Sequence, residues 1–438
     1  MLLLLVTLPR LIKRPLPRTF LPLLAFVAVA MISSTIAFYS DLGTLRGVSM
    51  ESRFIRNAAT LALGLAFYFT VTLLPNSWED LLFSVRWLYA GFAVALLWGS
   101  LQAIYVIHFS PTYFKWLNQI QSLFSGRKLF STRISGMTYE PKWFAEQLCL
   151  VLLPWLISSV LTGRSIFKWR FKWVTLEMLL LAWCSCVLVF TYSRTGLSIL
   201  ALLVIISFIL YRSNLLRRHP SNTQLTPAKT PSTRSKSRLI AEVGLLVVGI
   251  LTVLVLVGSQ NPYFSRFWRY WTEAKRRNRT YFEFIAFQQR FVYLETAFKM
   301  YEAYPLLGVG LGNYAFHFAD ILPSQLYRQP EIIRQITPVE GRDSLVTPKN
   351  LFARLLAETG IAGTLAFLTF LIAIAGCITG LWLSPTPETR FWGLGGFFSL
   401  LVFFIIAFSF DSFAVPNMWI VFGMVTAAAH IDDAKTTL

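Results

Sequence analysis

The chain is short of charge, and of acid above all. Only 14% of its 438 residues are charged, with 21 acidic side chains against 40 basic ones. A soluble protein usually carries about a quarter. With 55% hydrophobic residues gathered in long runs, this argues against a soluble helical protein, which would need a dozen helices apolar on every side. Histidine is scarce at four residues, too few to suggest a metal site. The four cysteines, Cys149, Cys184, Cys186 and Cys377, all lie in apolar runs. Cys184 and Cys186 face different sides of a helix, so they read as small apolar fillers rather than a redox pair or metal ligands. A glycine-rich phosphate loop of the nucleotide-binding kind is missing. No cofactor is expected. The net charge of +19 sits largely in a few short connectors. That suits inside-facing membrane loops better than a nucleic-acid surface.

What the chain has is a series of apolar runs broken by charged connectors, the pattern of a polytopic membrane protein. Spans are expected near 20–37, 57–75, 83–107, 144–162, 174–192, 196–211, 240–258, 361–382, 391–410 and 416–430. Each is long enough, or nearly so, to cross about 30 Å of hydrocarbon. With soft boundaries, the expectation is an all-α single transmembrane domain over 1–438 with about 10–12 helices. Phenylalanine and tryptophan are abundant, at 38 and 14 residues, and aromatics often mark membrane interfaces.

Arg10, Lys13, Arg14 and Arg18 precede the first full-length run, which is therefore expected to be an uncleaved anchor with its start inside. That orientation puts 163–172 and 212–239 inside, and both are rich in lysine and arginine, as the positive-inside rule asks. Both termini are then cytoplasmic. The 38–56 loop, with three arginines and two acids, falls outside and fits the rule poorly. The 214–237 stretch is rich in serine, threonine, proline and basic residues and is expected to be disordered. Segment 260–346, with 11 basic and 8 acidic residues, is the large external region, too long for a plain connector. Within it "FEFIAFQQRFVYLETAFKMYEAYP" reads as an amphipathic helix ended by Pro305 and lying near the outer surface.

Three outer patches carry the polar residues. In "TYSRTG", Arg194 stands between two apolar spans, where a charge is costly unless paired, hydrated or used; the bland alternative is an arginine snorkelling to headgroups. In "QQRFVYLETAFKMYEAYPLLGVGLGNY", Arg290 lies on the surface helix and Gly308, Gly310 and Gly312 alternate after Pro305. Glycines let backbone approach a ligand or another helix; the bland alternative is a flexible turn. In "LVTPKNLFARLLAETG", Thr347 is expected to cap a helix with Pro348 at its first position. Asn350, Arg354 and Glu358 then share one face, Arg354 and Glu358 can pair, and Lys349 stands at the helix mouth. The bland alternative is a charge ladder that positions the helix end. Two arginines and a lysine in outer patches suit an anionic ligand, and a lipid diphosphate whose leaving charge needs stabilising is the natural match.

Four motifs in order now resemble the O-antigen ligase and polymerase superfamily of bacterial lipid-linked glycan transferases. "RISGMTYEPKWFAEQL" is similar to the family's Arg–x–x–Gly–x–x–x–x–Pro–Asn segment, and "SRTG" to its arginine turn. "RFVYLETAFKMYEAYPLLGVGLGNY" resembles the signature ending in Pro–x–x–Gly–x–Gly–x–Gly–Asn. "KNLFARLLAETGIAG" resembles the His–Asn–x–x–x–x–x–x–x–Glu–x–Gly element. The resemblance implies a GT-C-like membrane fold with one large external loop carrying amphipathic helices. It implies a metal-independent glycosyltransferase on the outer side of the bacterial inner membrane. The donor would be an undecaprenyl-diphosphate-linked glycan, and the acceptor a glycan or lipid-linked saccharide.

By matching motif, Arg194 and Arg290 would hold the donor diphosphate, and Gly308–Asn313 would shape the loop over it. Glu358 and Lys349 complete the catalytic set. Arg133, Lys142, Asn350 and Arg354 join Gly308, Gly310, Gly312 and Asn313 as substrate-binding candidates. Two positions depart from the pattern. Lys349 stands where the family has histidine, and serves better as a phosphate-gripping cation than as a base unless its pKa is strongly lowered. Glu358 or another outer acid would then take the proton. Lys142 stands where the family tends to have asparagine. Two other classes compete: a transporter, for instance of inorganic carbon, which should show broken helices and internal pseudo-symmetry, and a non-catalytic partner in polysaccharide assembly.

Overall fold

In a computed structural model, the structure describes residues 9, 16–39, 42–167, 169–172, 174–213, 265, 269–271, 280–285, 287–322, 330–337, 345–384 and 386–436. The expected span at 240–258 and nearly all of the basic 212–239 loop lie outside the described residues. Among the described residues the chain is all-α apart from one small hairpin. In order come α1 (Phe20–Ala37), α2 (Met50–Leu73), α3 (Trp78–Ile107), α4 (Pro111–Gln121) and α5 (Pro141–Gln147). Helix α5 runs through a π turn, Leu148–Leu152, into α6 (Leu153–Thr162). Strands β1 (Arg170–Phe171) and β2 (Val174–Thr175) pair antiparallel where the basic 163–172 connector meets the span expected at 174–192. Then follow α7 (Leu176–Phe190), α8 (Arg194–Arg212), α9 (Tyr281–Phe284), α10 (Gln288–Ala303), α11 (Tyr314–Ile321), α12 (Pro330–Ile336), α13 (Leu351–Leu383), α14 (Pro387–Ala407) and α15 (Asn417–Thr436).

Among the described residues, seven helices are long and apolar enough to cross a membrane: α1, α2, α3, the 141–162 run, α8, α13 and α14. The protein is a polytopic membrane protein. Large apolar side chains stay exposed along these helices, such as Leu21, Trp87 and Ile372, as lipid-facing residues do. Helix α7 falls where a span was expected but is shorter, at 15 residues. Helix α15 covers the expected 416–430 span and carries His430, Asp432 and Asp433 into its last turns. Helix starts follow local chemistry. Ser49, Ser110, Thr175 and Ser193 each accept a first-turn backbone N–H from α2, α4, α7 and α8, answering donors that no helix can satisfy internally.

The chain forms two compact units. The first comprises 1–77, 268–380 and 403–438. Here α15 packs on α2. The Tyr68 hydroxyl on α2 donates to Thr19 Oγ1 at 2.7 Å and lies 2.9 Å from Thr426 Oγ1 of α15. The outer segments share a core in which Val292, Tyr293, Ala297 and Met300 of α10 meet Val309, Tyr314 and Phe318, with Ala353 and Ala357 of α13. The second unit comprises 78–267 and 381–402. Its π turn has an identifiable cause. Pro154 cannot donate to the Leu150 carbonyl, and Ser399 Oγ donates to that carbonyl instead at 3.4 Å. Trp155 packs on Trp392 at 5.1 Å between ring centres, and Ser158 Oγ donates to Phe391 O at 2.6 Å.

Candidate functional site

Helix α13 is broken at Gly360, where φ is +61° and ψ −163°. A break in a helix frees backbone groups that need partners once they are buried away from water. The freed groups here meet the 305–312 segment. Val309 N donates to Ala357 O at 3.0 Å and Gly310 N to Glu358 O at 2.9 Å. In return Ile361 N donates to Pro305 O at 2.8 Å and Ala362 N to Leu306 O at 3.2 Å. Two backbones therefore touch, which explains the glycines. A Cβ on Gly308, itself at φ +66°, would stand 2.5 Å from Ala357 O, and one on Gly360 would run into Leu306. Ser33 and Ser34 of α1 complete the junction. Ser33 Oγ lies 2.5 Å from Leu307 O and 2.9 Å from Glu358 O, and Ser34 Oγ accepts Leu311 N at 3.0 Å.

This junction fixes the polar groups around it. Glu358 is 1% exposed, and its Oε2 accepts Gly312 N at 2.7 Å and Arg354 Nε at 2.8 Å. Arg354, also buried, donates through Nη1 to Asp411 O at 2.5 Å. Arg53 of α2 donates through Nε to Gly312 O at 3.0 Å, and Asn57 Nδ2 donates to Leu311 O at 3.0 Å. Asn313 turns inward, its Nδ2 donating to Val309 O at 3.1 Å.

A correction concerns the start of α13. Asn350, not Thr347, caps it: Ala353 N donates to Asn350 Oδ1 at 3.0 Å, and the helix begins at Leu351. The reason is Lys349. Its φ of +54° keeps Pro348 and Lys349 out of the helix, and Asp411 Oδ2 pins that conformation by accepting Lys349 N at 2.8 Å. The Lys349 ammonium sits over the Tyr293 ring at 4.7 Å, a cation–π contact.

Beside these groups lies a cavity of about 210 Å³. Arg53, Arg56, Asn57 and Thr60 of α2 line one side, and Thr347, Arg354 and the 411–414 turn line the other. Three arginines and one carboxylate, with hydroxyl and amide groups between them, suit an anionic or polyhydroxylated ligand. After Gly360, α13 runs on to Leu383, about 34 Å of helix, enough to span the hydrocarbon by itself. The turns carrying Arg354 and Glu358 therefore belong at headgroup level.

Of the sequence candidates, Arg354 lines the cavity. Glu358 and Lys349 stand directly behind it, through Arg354 and Asp411. Gly308, Gly310, Gly312 and Asn313 build the junction. Arg290 stands half-exposed in the first turn of α10, outside the lining. Arg194, Arg133 and Lys142 belong to the second unit. There Arg194 opens α8 after Tyr192 at φ +47°. Arg133 lies over the Phe130 ring at 5.2 Å, and Lys142 pairs with Glu146 at 3.4 Å. Ile134 N donates to Phe190 O at 3.1 Å, tying the Arg133 turn to the end of α7. The Arg133 turn is itself held by buried Gln102, whose Oε1 accepts Ser135 N and Gly136 N at 2.9 and 3.0 Å.

Sequence reasoning missed Arg53, Arg56, Asn57, Thr60 and Asp411. For the first four a signal existed: they recur at i, i+3, i+4 and i+7, a polar stripe at one end of a span. The arginines of 38–56 that fit the charge rule poorly also find uses within the fold. Arg46 Nη2 donates to Gln335 O at 2.5 Å beside Arg334 O and Thr337 O, closing the end of α12, while Arg53 holds Gly312. Among the described residues, no group of three His, Cys, Asp or Glu side chains has an arrangement that could hold a metal ion.

Residues 179–368 match the family model described as O-antigen ligase. The match takes in Arg194, Arg290, the glycine segment, Lys349, Arg354 and Glu358. It leaves out the α2 stripe and Asp411. No curated protein matches the chain.

Proposed function

We propose that this polytopic protein, whose central segment carries the O-antigen ligase pattern, is a metal-independent glycosyltransferase. It moves a glycan from undecaprenyl diphosphate to a saccharide hydroxyl on the external face of the inner membrane, in polysaccharide polymerisation or ligation. The observation that supports this most is the arginine-lined cavity at the headgroup-level end of α2 and α13. A leaving diphosphate needs its growing charge stabilised, and guanidinium groups held in advance do so without reorganising. Arg354 is fixed by Glu358 and Asp411 O, and Arg53 by Gly312 O; both keep further N–H donors for the cavity. Arg56 adds a third cation at the rim.

The transfer forms one bond from the acceptor oxygen to the anomeric carbon and breaks the bond to the diphosphate oxygen. The acceptor proton goes to the Asp411 carboxylate, which lines the cavity. Glu358 is a poorer base, since its Oε2 already accepts two hydrogen bonds. Lys349, over its tyrosine ring, serves as a fixed cation. A transporter would use the helix break to hold an ion or substrate, but at Gly360 the glycine segment already answers the freed backbone groups.

The test is transfer by the purified protein in lipid, with a panel of undecaprenyl-diphosphate glycans. Product that survives a chelator and is lost in Arg354→Ala and Asp411→Asn supports the reading. Donor binding without product from any glycan favours a non-catalytic partner; no donor binding at all returns transport to the fore.

A further inference from the structure

Helix α10 is apolar on two opposite faces. Its inner face is buried in the core around Tyr293 and Met300. Its outer face carries Phe287, Phe291, Leu294 and Phe298, spaced to form one stripe and 40%, 51%, 45% and 51% exposed. The stripe continues past the helix. Phe287 meets Phe291 at 5.4 Å, Phe282 meets both at 6.1 and 6.3 Å, and Tyr281 links Phe282 to Trp271. Phe282 and Trp271 are 52% and 65% exposed. A connected apolar patch of this kind marks an interaction surface, not chance exposure.

We infer that this aromatic stripe is seated in the lipid surface of the bilayer that the chain itself crosses. Three observations select lipid as the occupant. Helix α10 has 16 residues and carries Arg290, Glu295, Lys299 and Glu302, so it is too short and too charged to span. Protein covers the inner apolar face of α10, and a helix whose remaining apolar stripe has charged flanks lies in the interface plane. Arg290 flanks the stripe on one side and Lys299, paired with Glu295 at 3.9 Å, on the other, so each flank carries a cation at the height where lipid phosphates would lie. The same unit contains α1, α2 and the greater part of α13, all long and apolar enough to cross the bilayer, so an apolar phase adjoins it.

The seating has a consequence for the site. Tyr293 on the inner face of α10 carries the Lys349 ammonium at 4.7 Å, and Met300 shares a core with Val309 and Ala357. The depth of α10 in the lipid therefore sets the height of the Gly360 junction relative to the headgroups. This holds whether or not the protein transfers glycans, and its test reads no activity.

The unmodified protein is reconstituted in vesicles of phosphatidylethanolamine and phosphatidylglycerol containing a lipid with a photoreactive group on its acyl chain. Peptides spanning 281–303 are expected to be labelled as α1 is. In parallel, spin labels are placed one at a time at Phe291→Cys, Leu294→Cys and Phe298→Cys, with Glu295→Cys and Lys299→Cys as flanking controls, in a Cys186→Ser, Cys377→Ser background. On the stripe, collision with oxygen should exceed collision with a water-soluble nickel complex several-fold, and the order should reverse on the flank. Nickel access along the stripe would overturn the inference. Access to neither reagent, with no lipid label on 281–303, would mean that protein covers the stripe, and would overturn it equally.

Discussion

The basic residues of the 127–146 segment in the second unit and those of the first unit are held in different ways. In that segment, partners are local: Arg127 pairs with Glu140 at 3.1 Å and lies over the Phe130 and Tyr139 rings, Arg133 lies over Phe130, and Lys142 pairs with Glu146 one turn on. Elsewhere in the second unit Arg86 reaches Ile166 O at 3.2 Å and Arg164 reaches Glu388 at 3.4 Å. In the first, partners come from far along the chain. Arg53 reaches Gly312, Arg46 reaches Gln335, and Arg354 reaches Asp411. Local pairing at a surface satisfies a charge. Long-range pairing to backbone carbonyls also orients it, and in the first unit two of the oriented guanidinium groups, those of Arg53 and Arg354, line a cavity.

The largest test of this contrast compares two ion pairs at the same i, i+4 spacing. Arg354–Glu358 is buried at both ends, and Lys142–Glu146 leaves the lysine partly exposed. Arg354→Ala strands a buried carboxylate, and a loss of about 3–5 kcal/mol is expected in thermal or denaturant unfolding. Lys142→Ala also leaves a buried carboxylate, Glu146, but at a site that water reaches through the partly exposed lysine, and about 1–3 kcal/mol is expected. Equal effects would mean that burial does not set the strength of these pairs.

Next comes a comparison of two left-handed glycines. Gly308 and Gly163 share nearly the same φ, +66° and +69°, but a Cβ on Gly163 meets nothing within 4 Å. Gly163→Ala should cost about 1 kcal/mol from backbone strain alone. Gly308→Ala adds a clash with the α13 backbone and should cost at least twice that. Like losses in unfolding experiments would show that the junction at Gly360 is loose.

A third comparison separates binding from stability. Arg56 is exposed on the cavity rim, and Arg127 lies outside the cavity with its own acid and rings. Arg56→Gln should weaken inorganic diphosphate binding about tenfold, the scale of one charged hydrogen bond, with the melting temperature unchanged. Arg127→Gln should leave binding alone. Calorimetric titration of both variants decides it, and equal affinities would remove Arg56 from the site.

The same contrast explains what the sequence discloses. The described spans, the greater part of the expected surface helix and the Arg354–Glu358 pair depend on periodicity or on i, i+4 spacing, and were legible; the one helix expected up to Pro305 is two, α9 and α10. The glycines announced a close backbone approach without naming the partner, because that partner, the Gly360 break, is an irregularity inside an otherwise unbroken apolar run. Asp411 was illegible: its two contacts, to Lys349 N and Arg354, cross about sixty residues, and nothing around "SFDSFAV" marks it. The cap at Asn350 was misread because a left-handed lysine has no sequence signature. The α2 stripe could have been found. It was hidden by placing the span at 57, which cut Arg53 and Arg56 away from Asn57 and Thr60.

The smallest expected effect is one of pH. His317 of α11 is buried in the first unit with its ring 5.6 Å from that of Tyr304. Burial pushes its pKa below the usual imidazole value, partly opposed by the nearby Asp320. The lowered value means that the unfolded chain takes up this proton first as pH falls. The stability that the neutral ring contributes is therefore intact above about pH 6.5 and is lost as pH drops through the lower folded value. Melting temperatures measured from pH 7.5 to 5 should fall less steeply for His317→Gln than for the parent chain. If the His317→Gln curve ran parallel to the parent's, the burial of His317 would not be a source of the acid sensitivity.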